Sequence, residues 1–394
     1  MATRKVRRVS DSLPCKLADE ERLDFADSLA EASQAVETAT NAKNSAMKQH
    51  NYEIQLAKTR RDRLANIVAS KTEYRDVTVK AIVTTTINPP TVALKKFIKI
   101  AKKDDWHLFI VGDLKTPHKE YQDIALVEDC VTYLTPKDQD LISLELSEAI
   151  GWNCIQRRNF GLVAAYQWGA EIIATVDDDN IPYDHWGKNC KVNTDWSAMT
   201  YKCKQDVFDP LSPLFPALWH RGFPLELLPD RMLQKPQLVK RHVLVQADFW
   251  DGDPDIDAIA RIAMQPEIEF PSSMSPIAAD KLSPFNSQNT FLSRKVFPTY
   301  FLFPHIGRMD DIWAAYVTQF KFPDSVIYAK ASVKQERNPH NLVNDLKAEM
   351  IGYENNLEFT KTPIGWEKFL PEKALRAYNI YKELLTDKKA TPNG

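Results

Sequence analysis

The chain has 394 residues, is 44% hydrophobic and 26% charged, and carries a formal net charge of −2. That composition belongs to a globular protein and excludes a general electrostatic affinity for nucleic acid or anionic membrane. No apolar run approaches the roughly 20 residues needed to cross a bilayer. The five cysteines (Cys15, Cys130, Cys154, Cys190, Cys203) are odd in number and scattered, which predicts reduced thiols and a cytoplasmic, reducing compartment rather than zinc or disulfides.

The basic start MATRKVRRVS lacks an apolar signal core, and residues 1–17 are expected to form a disordered tail. Residues 18–73 are nearly free of Gly and Pro and rich in Ala, Glu, Gln, Lys and Arg, which predicts a helical extension. It is either a homo-oligomer contact or a helix packed on the body of the protein. Sustained apolar heptads are missing, so a coiled coil is not indicated.

The pattern then changes. Val77 to Ile87 reads as a strand, and a helix follows from about Thr91 to Lys102. Trp106 to Val111 is a second strand and Val131 to Leu134 a third. Asn153 is expected to cap a helix running to Trp168, with Gly169 past its end. Ile172 to Val176 is a short β-branched run that reads as a buried strand. This alternation predicts an α/β sheet with right-handed crossovers. Residues 188–240 read as long loops, and His242 to Ala247 as another strand. The acidic stretch Asp248 to Asp257 does not fit a calcium loop, because its sixth position lacks Gly. The chain from about Asn341 onward reads as mostly helical, with 346–394 as a C-terminal helical region.

Chemistry is expected at the strand ends. The run Ile172 to Val176 stops at Asp177, Asp178 and Asp179. Two unit charges about 4 Å apart repel by roughly 4 kcal/mol at an effective dielectric of about 20, so a hard cation such as Mg²⁺ or Mn²⁺ would ease the cluster. The alternative is a solvated acidic turn. Thr84 to Thr86 and Asp113 close the first two strands, where they either bond a base and ribose or serve as strand filler and turn residue. No glycine-rich phosphate loop is present, so Arg157 and Arg158 are candidates to neutralise a diphosphate. Asp310 and Asp311 precede an amphipathic helix and are either helix caps or catalytic acids, with Gly307 beside them as a place for backbone to approach ligand closely. His340 is a candidate metal ligand.

These stretches carry a resemblance. GAEIIATVDDDN after QRRNFG resembles nucleotide-sugar transferases of the GT-A type, a Rossmann-like, mostly parallel fold. IVTTTI, IVGD and RGFP resemble the reversibly glycosylated polypeptides, which are UDP-arabinopyranose mutases. DGDPDIDAIARI, PFNSQNT and GRMDDIW resemble the STELLO glycosyltransferase-like family. The resemblance covers about residues 77–345. It implies a transferase moving sugar from a UDP-sugar to an unidentified glycan, protein or other hydroxyl acceptor, with Mn²⁺ or Mg²⁺. Asp177 would contact ribose or metal, Asp179 would bind the metal, Asp178 would help hold the nucleotide sugar, and Asp310 or Asp311 would act toward the acceptor, with Asp311 favoured. The mutases carry a glycosylated Arg after the RGYP-like motif, and ungapped alignment puts Leu228 there. That favours transfer over mutase activity. A non-catalytic scaffold is the remaining alternative.

Overall fold

The computed structural model describes residues 29–38, 40, 43, 78–231, 233–335 and 341–386. The expected tail 1–17, most of the 18–73 extension, His340 and residues 387–394 lie outside these. The chain divides into two compact units, Met1–Lys58 and Thr59–Gly394. The described residues of the first unit are helical and exposed.

The second unit is an α/β structure built on an eleven-stranded sheet. Its first part alternates strands and helices: β1 (Lys80–Thr86), α1 (Val92–Asp104), β2 (Trp106–Gly112), α2 (His118–Val127) and β3 (Val131–Leu134). Short helices α3 (Pro136–Ile142) and α4 (Leu144–Ile150) lead to α5 (Arg158–Trp168) and β4 (Ile172–Val176). Then come β5 (Asn180–Pro182), β6 (Asp195–Tyr201), β7 (Gln237–His242), β8 (Val245–Asp251), α6 (Ala258–Met264), β9 (Ile277–Ala279) and β10 (Asn289–Ser293). The chain ends with α7 (Asp310–Lys321), β11 (Val326–Gln335), α8 (Leu342–Thr360) and α9 (Glu372–Leu384).

Strands β3, β2, β1 and β4 are parallel neighbours. Antiparallel β10 joins β4 to β8, and β11 runs parallel to β8. Seven strands (β1, β2, β3, β4, β7, β8, β11) therefore point the same way, and their carboxyl ends share one rim. Ligands of open α/β sheets bind beyond such ends.

Local chemistry explains the elements that aim the rim. Thr91 caps α1 through its side chain to the Leu94 amide, and Ala93, Leu94, Phe97 and Ala101 form the buried stripe. Emptying the Phe97 site to Ala would cost about 3–5 kcal/mol. Helix α5 is buried along nearly its whole length. Gly161 allows this, because a Cβ there would lie 2.4 Å from Val83 Cγ1 and 2.8 Å from Val111 Cγ2. The helix thus lies close on β1 and β2 and ends at Gly169, whose φ is 97°.

Three expectations shift. Asn153 does not cap α5: it takes a left-handed φ of 59°, and a 3-10 turn, Ile155–Arg157, precedes the helix. The strand expected at His242 to Ala247 is displaced to Val245–Asp251, with β7 ending at His242. The stretch 188–240 holds two strands, β6 and most of β7, rather than loops alone.

Helix α8 fastens the helix that carries Asp310 and Asp311. Trp313 stacks on Phe359 with ring centroids 4.4 Å apart, and its Nε1 donates to Asn356 Oδ1 at 2.9 Å. Gly307 serves this packing: a Cβ there would lie 2.0 Å from the Ala348 carbonyl oxygen. The close neighbour of Gly307 is helix α8. Among the described residues no helix is long and apolar enough to cross a membrane.

Candidate active site

The rim beyond β1, β2 and β4 holds a cleft of about 240 Å³. Its walls are Thr85 and Thr86 from β1, Asp113 and Lys115 after β2, the loop 153–157, and Asp178. Thr84, one step inside the strand, is wholly buried, and its Oγ1 donates back to the Thr85 carbonyl at 3.4 Å.

The three acids after β4 diverge. Asp178 staples the β4 turn to β1: its Oδ2 accepts from Thr86 Oγ1 at 2.5 Å and from Asn88 Nδ2 at 3.0 Å. Its backbone carbonyl accepts from Thr91 Oγ1 at 2.5 Å. Burial raises the Asp178 pKa, against the pull of those two donors. Asp177 accepts from Arg158 Nη2 at 2.5 Å and from Gln288 Nε2 at 2.9 Å. Asp179 sits half-buried between them and Asn180. Among the described residues no group of three or more His, Cys, Asp and Glu is placed to hold a metal ion.

Arg157 and Arg158 are both fully buried. Arg158 joins Asp177 and Thr85 to Ser287, donating to the Ser287 carbonyl at 2.7 Å and its Oγ at 2.9 Å. Arg157 donates from Nε to Gln139 Oε1 at 2.7 Å and from Nη1 to Ser147 Oγ at 3.1 Å, and its guanidinium stacks 3.6 Å from the Trp152 ring. Burial lowers its pKa to about 10, so it is still a cation at neutral pH. Its Nη2 is enclosed and has no hydrogen-bond partner. A buried guanidinium nitrogen without an acceptor is costly.

Asp113 clips the cleft loop in place. Its Oδ1 accepts from the Leu114 amide at 2.6 Å and the Asn153 amide at 2.9 Å, and its Oδ2 from the Cys154 amide at 3.0 Å. The carboxylate thus shapes the wall by holding backbone. Burial pushes the Cys154 thiol up to about 11, which keeps it protonated.

A buried ionic network lies behind the cleft. Asp311 Oδ1 accepts from Arg221 Nη1 at 3.0 Å, and its Oδ2 accepts from the Ser287 amide at 3.0 Å. Arg221 Nε also donates to Asp255 Oδ1 at 2.8 Å, and Asn286 Nδ2 donates to Asp255 Oδ2 at 2.8 Å. Burial works against ionised Asp255, but Arg221 and His220 prevail and hold its pKa well below the carboxylate range. Arg221 also donates to the Arg308 carbonyl. Asp310 accepts from Gln156 Nε2 at 2.8 Å. Burial and then the charge of Asp311 push its pKa up to about 7. Ser287 serves both Arg158 and Asp311, so the β4 turn and the α7 acids belong to one connected set.

The acids of 248–257 each have separate work. Asp248 is buried beside Gln246, and burial lifts it to about 7. Asp251 accepts from Tyr183 Oη and the Phe270 amide, Asp253 pairs with Arg261, and Asp257 caps α6. Arg221, Asp255, Gln156, Asn286, Ser287 and Gln288 received no role from sequence reasoning. For Asn286, Ser287 and Gln288 the signal was the density of amide and hydroxyl side chains directly before a strand buried at every position.

No family model matches the chain, and no curated protein matches it. Among solved structures, it is similar to glucosyl-3-phosphoglycerate synthase from Mycobacterium tuberculosis in complex with phosphoglyceric acid. The identity is 12%, the TM-score 0.41, and the match covers 72% of this chain and 81% of that one. At this level the likeness carries no functional argument.

Proposed function

We propose that the protein is a glycosyltransferase that takes a sugar from a nucleotide-diphosphate donor, with a UDP-sugar as the donor class. The observation that carries this reading is the rim cleft at the strand ends, with exposed Lys115 at its lip and buried Arg157 in its wall. An exposed cation at the lip of a 240 Å³ cleft, at the carboxyl ends of parallel strands, suits a phosphorylated ligand of nucleoside size. The resemblance of the GAEIIATVDDDN and PFNSQNT stretches to nucleotide-sugar transferases supports the same reading.

In this proposal Thr86 and Asp113 shape the nucleoside end of the cleft, with Thr84 behind them. Asp177, Asp178 and Arg158 act by holding the β4 turn. Protein donors already take both Asp177 oxygens, so a bound Mg²⁺ or Mn²⁺ would fall to Asp179 and to ligand oxygens, with His340 as a further candidate. Such an ion would neutralise negative charge on the departing diphosphate. Of the two acids on α7, Asp310 is the better base, because Arg221 and Ser287 engage Asp311 while Asp310 has a proton affinity near neutrality. This reverses the preference for Asp311. The acceptor oxygen would bond the anomeric carbon, its proton would pass to a base, and the nucleoside diphosphate would leave with the electron pair of the broken bond; Asp310, buried behind the cleft wall, is the candidate base on its proton affinity.

Purified protein incubated with UDP-sugars and chromatographed for products tests the reading. UDP plus a glycosylated acceptor supports it, an isomerised UDP-sugar would indicate a mutase, and unchanged UDP-sugar with every acceptor tried would leave the scaffold.

A further inference from the structure

The rim cleft has aliphatic walls as well as polar ones. Ile87, just after β1, and Ile155, on the 153–157 loop, line it from separate segments. They stay 50% and 41% exposed, so both keep apolar surface to offer a ligand. Most polar side chains of the cleft are already engaged by the protein. Asp113 takes three backbone amides, Asn88 donates to Asp178, and Thr85 accepts from Arg158. Asn153 differs. Its side chain is exposed in the cleft, and the amide bonds nothing among the described residues.

Asn153 is also held at a fixed place. Its backbone N–H donates to Asp113 Oδ1 at 2.9 Å, and the next N–H donates to Asp113 Oδ2 at 3.0 Å. Its φ of 59° is a left-handed conformation that Asn adopts more readily than most residues. A pinned backbone presents the amide with less ordering left to do on binding.

These walls match one part of a nucleotide sugar. A sugar ring carries hydroxyls all round and would leave two isoleucines against polar groups. A nucleobase has apolar faces and a polar edge. An amide sets an acceptor beside a donor, the complement of a ring N–H beside a ring carbonyl, as on uracil. The cleft of about 240 Å³ is below the roughly 300–1,000 Å³ usual for drug-sized ligands, which favours one ring over two.

We infer that Asn153 reads the base of the donor, a uracil-type ring lying against Ile87 and Ile155. Asn153 Oδ1 accepts from the ring N3–H, and Nδ2 donates to the ring carbonyl beside it. Asp113 acts one step back, by fixing the Asn153 backbone rather than by bonding the base. This rests on the proposed function for the presence of a nucleotide, and on the cleft alone for the choice of Asn153.

Calorimetric titration of UDP, N3-methylated UDP and ADP into the full chain, with Mg²⁺ present, tests it. The methyl group removes the N–H that Asn153 accepts. Wild type should therefore bind N3-methylated UDP at least about fivefold more weakly than UDP, the low end of what a paired base-edge contact is worth. Asn153→Gly keeps the left-handed backbone and removes only the amide. It should bind UDP at least about fivefold more weakly than wild type does, and should no longer distinguish the two ligands. A loop that was merely loosened would weaken both alike and keep the difference between them. ADP should bind wild type more weakly than UDP. Equal binding of UDP and its methylated form by wild type, a methyl penalty that survives in Asn153→Gly, or ADP binding as tightly as UDP overturns the inference. The wild-type comparison decides even where the variant does not fold. UDP that binds without the methyl penalty overturns this inference alone, whereas no UDP binding by folded wild type defeats the nucleotide reading and this inference with it.

Discussion

Arg221 and Asp311 are joined by a buried bond of 3.0 Å, and the same guanidinium holds Asp255 at 2.8 Å. One cation thus serves two buried carboxylates from two distant segments. Replacing Arg221 with Leu leaves both acids uncompensated, and breaking a buried pair in this way costs about 3–5 kcal/mol. Urea unfolding should show that loss. A cost under about 1 kcal/mol would mean that solvent reaches the pair and the network is not the clamp described.

Asp310 gives stability a pH signature. It ionises near pH 7 in the folded chain, against about 3.9 when unfolded. Between those values the native state holds the proton and the unfolded state does not. Its contribution is complete below about pH 4 and declines as pH rises to about 7. Asp310→Asn removes this term, so its stability relative to wild type should improve by about 2 kcal/mol from pH 5 to pH 8. An unchanged difference across that range would place the Asp310 pKa in the ordinary carboxylate range.

How much of this was legible beforehand follows from where each residue finds its partners. Strands β1 to β4 were readable because β-branched runs are local signals. Strand β8 was displaced in the sequence reading because Asp248 and Asp251, acids inside or at the end of a strand, look like turn residues until Gln246, Tyr183 and the Phe270 amide are seen to satisfy them. Strands β6 and β7 were hidden by their faces: β7 is exposed at five of six positions, so alternation is lost. Arg158 was read as a partner for a diphosphate, and no local pattern shows that its partners lie at Ser287 and Asp177. Asp113 was found for its position, but its work is to hold the loop amides.

Gly307 tests the packing account. Its φ is 60°, and a Cβ would meet the Ala348 carbonyl oxygen, part of a helix backbone that cannot swing aside. Gly307→Ala should cost at least about 2 kcal/mol, from overpacking and a left-handed backbone together. Thermal unfolding with a midpoint within a degree of wild type would show that helix α8 does not approach this turn.

The central claim is that the rim cleft takes a nucleoside diphosphate, with Lys115 as the exposed cation at its lip. Arg157 is too deeply anchored to replace without disturbing helix α4, whereas Lys115 is exposed at the lip. Calorimetric titration of UDP into wild type and Lys115→Glu, with Mg²⁺ or Mn²⁺ present, is the direct measurement. The account predicts saturable binding by wild type and at least about tenfold weaker binding by the variant, a difference of about 1.4 kcal/mol. No binding by the folded wild-type chain, or equal affinity in both proteins, would contradict it.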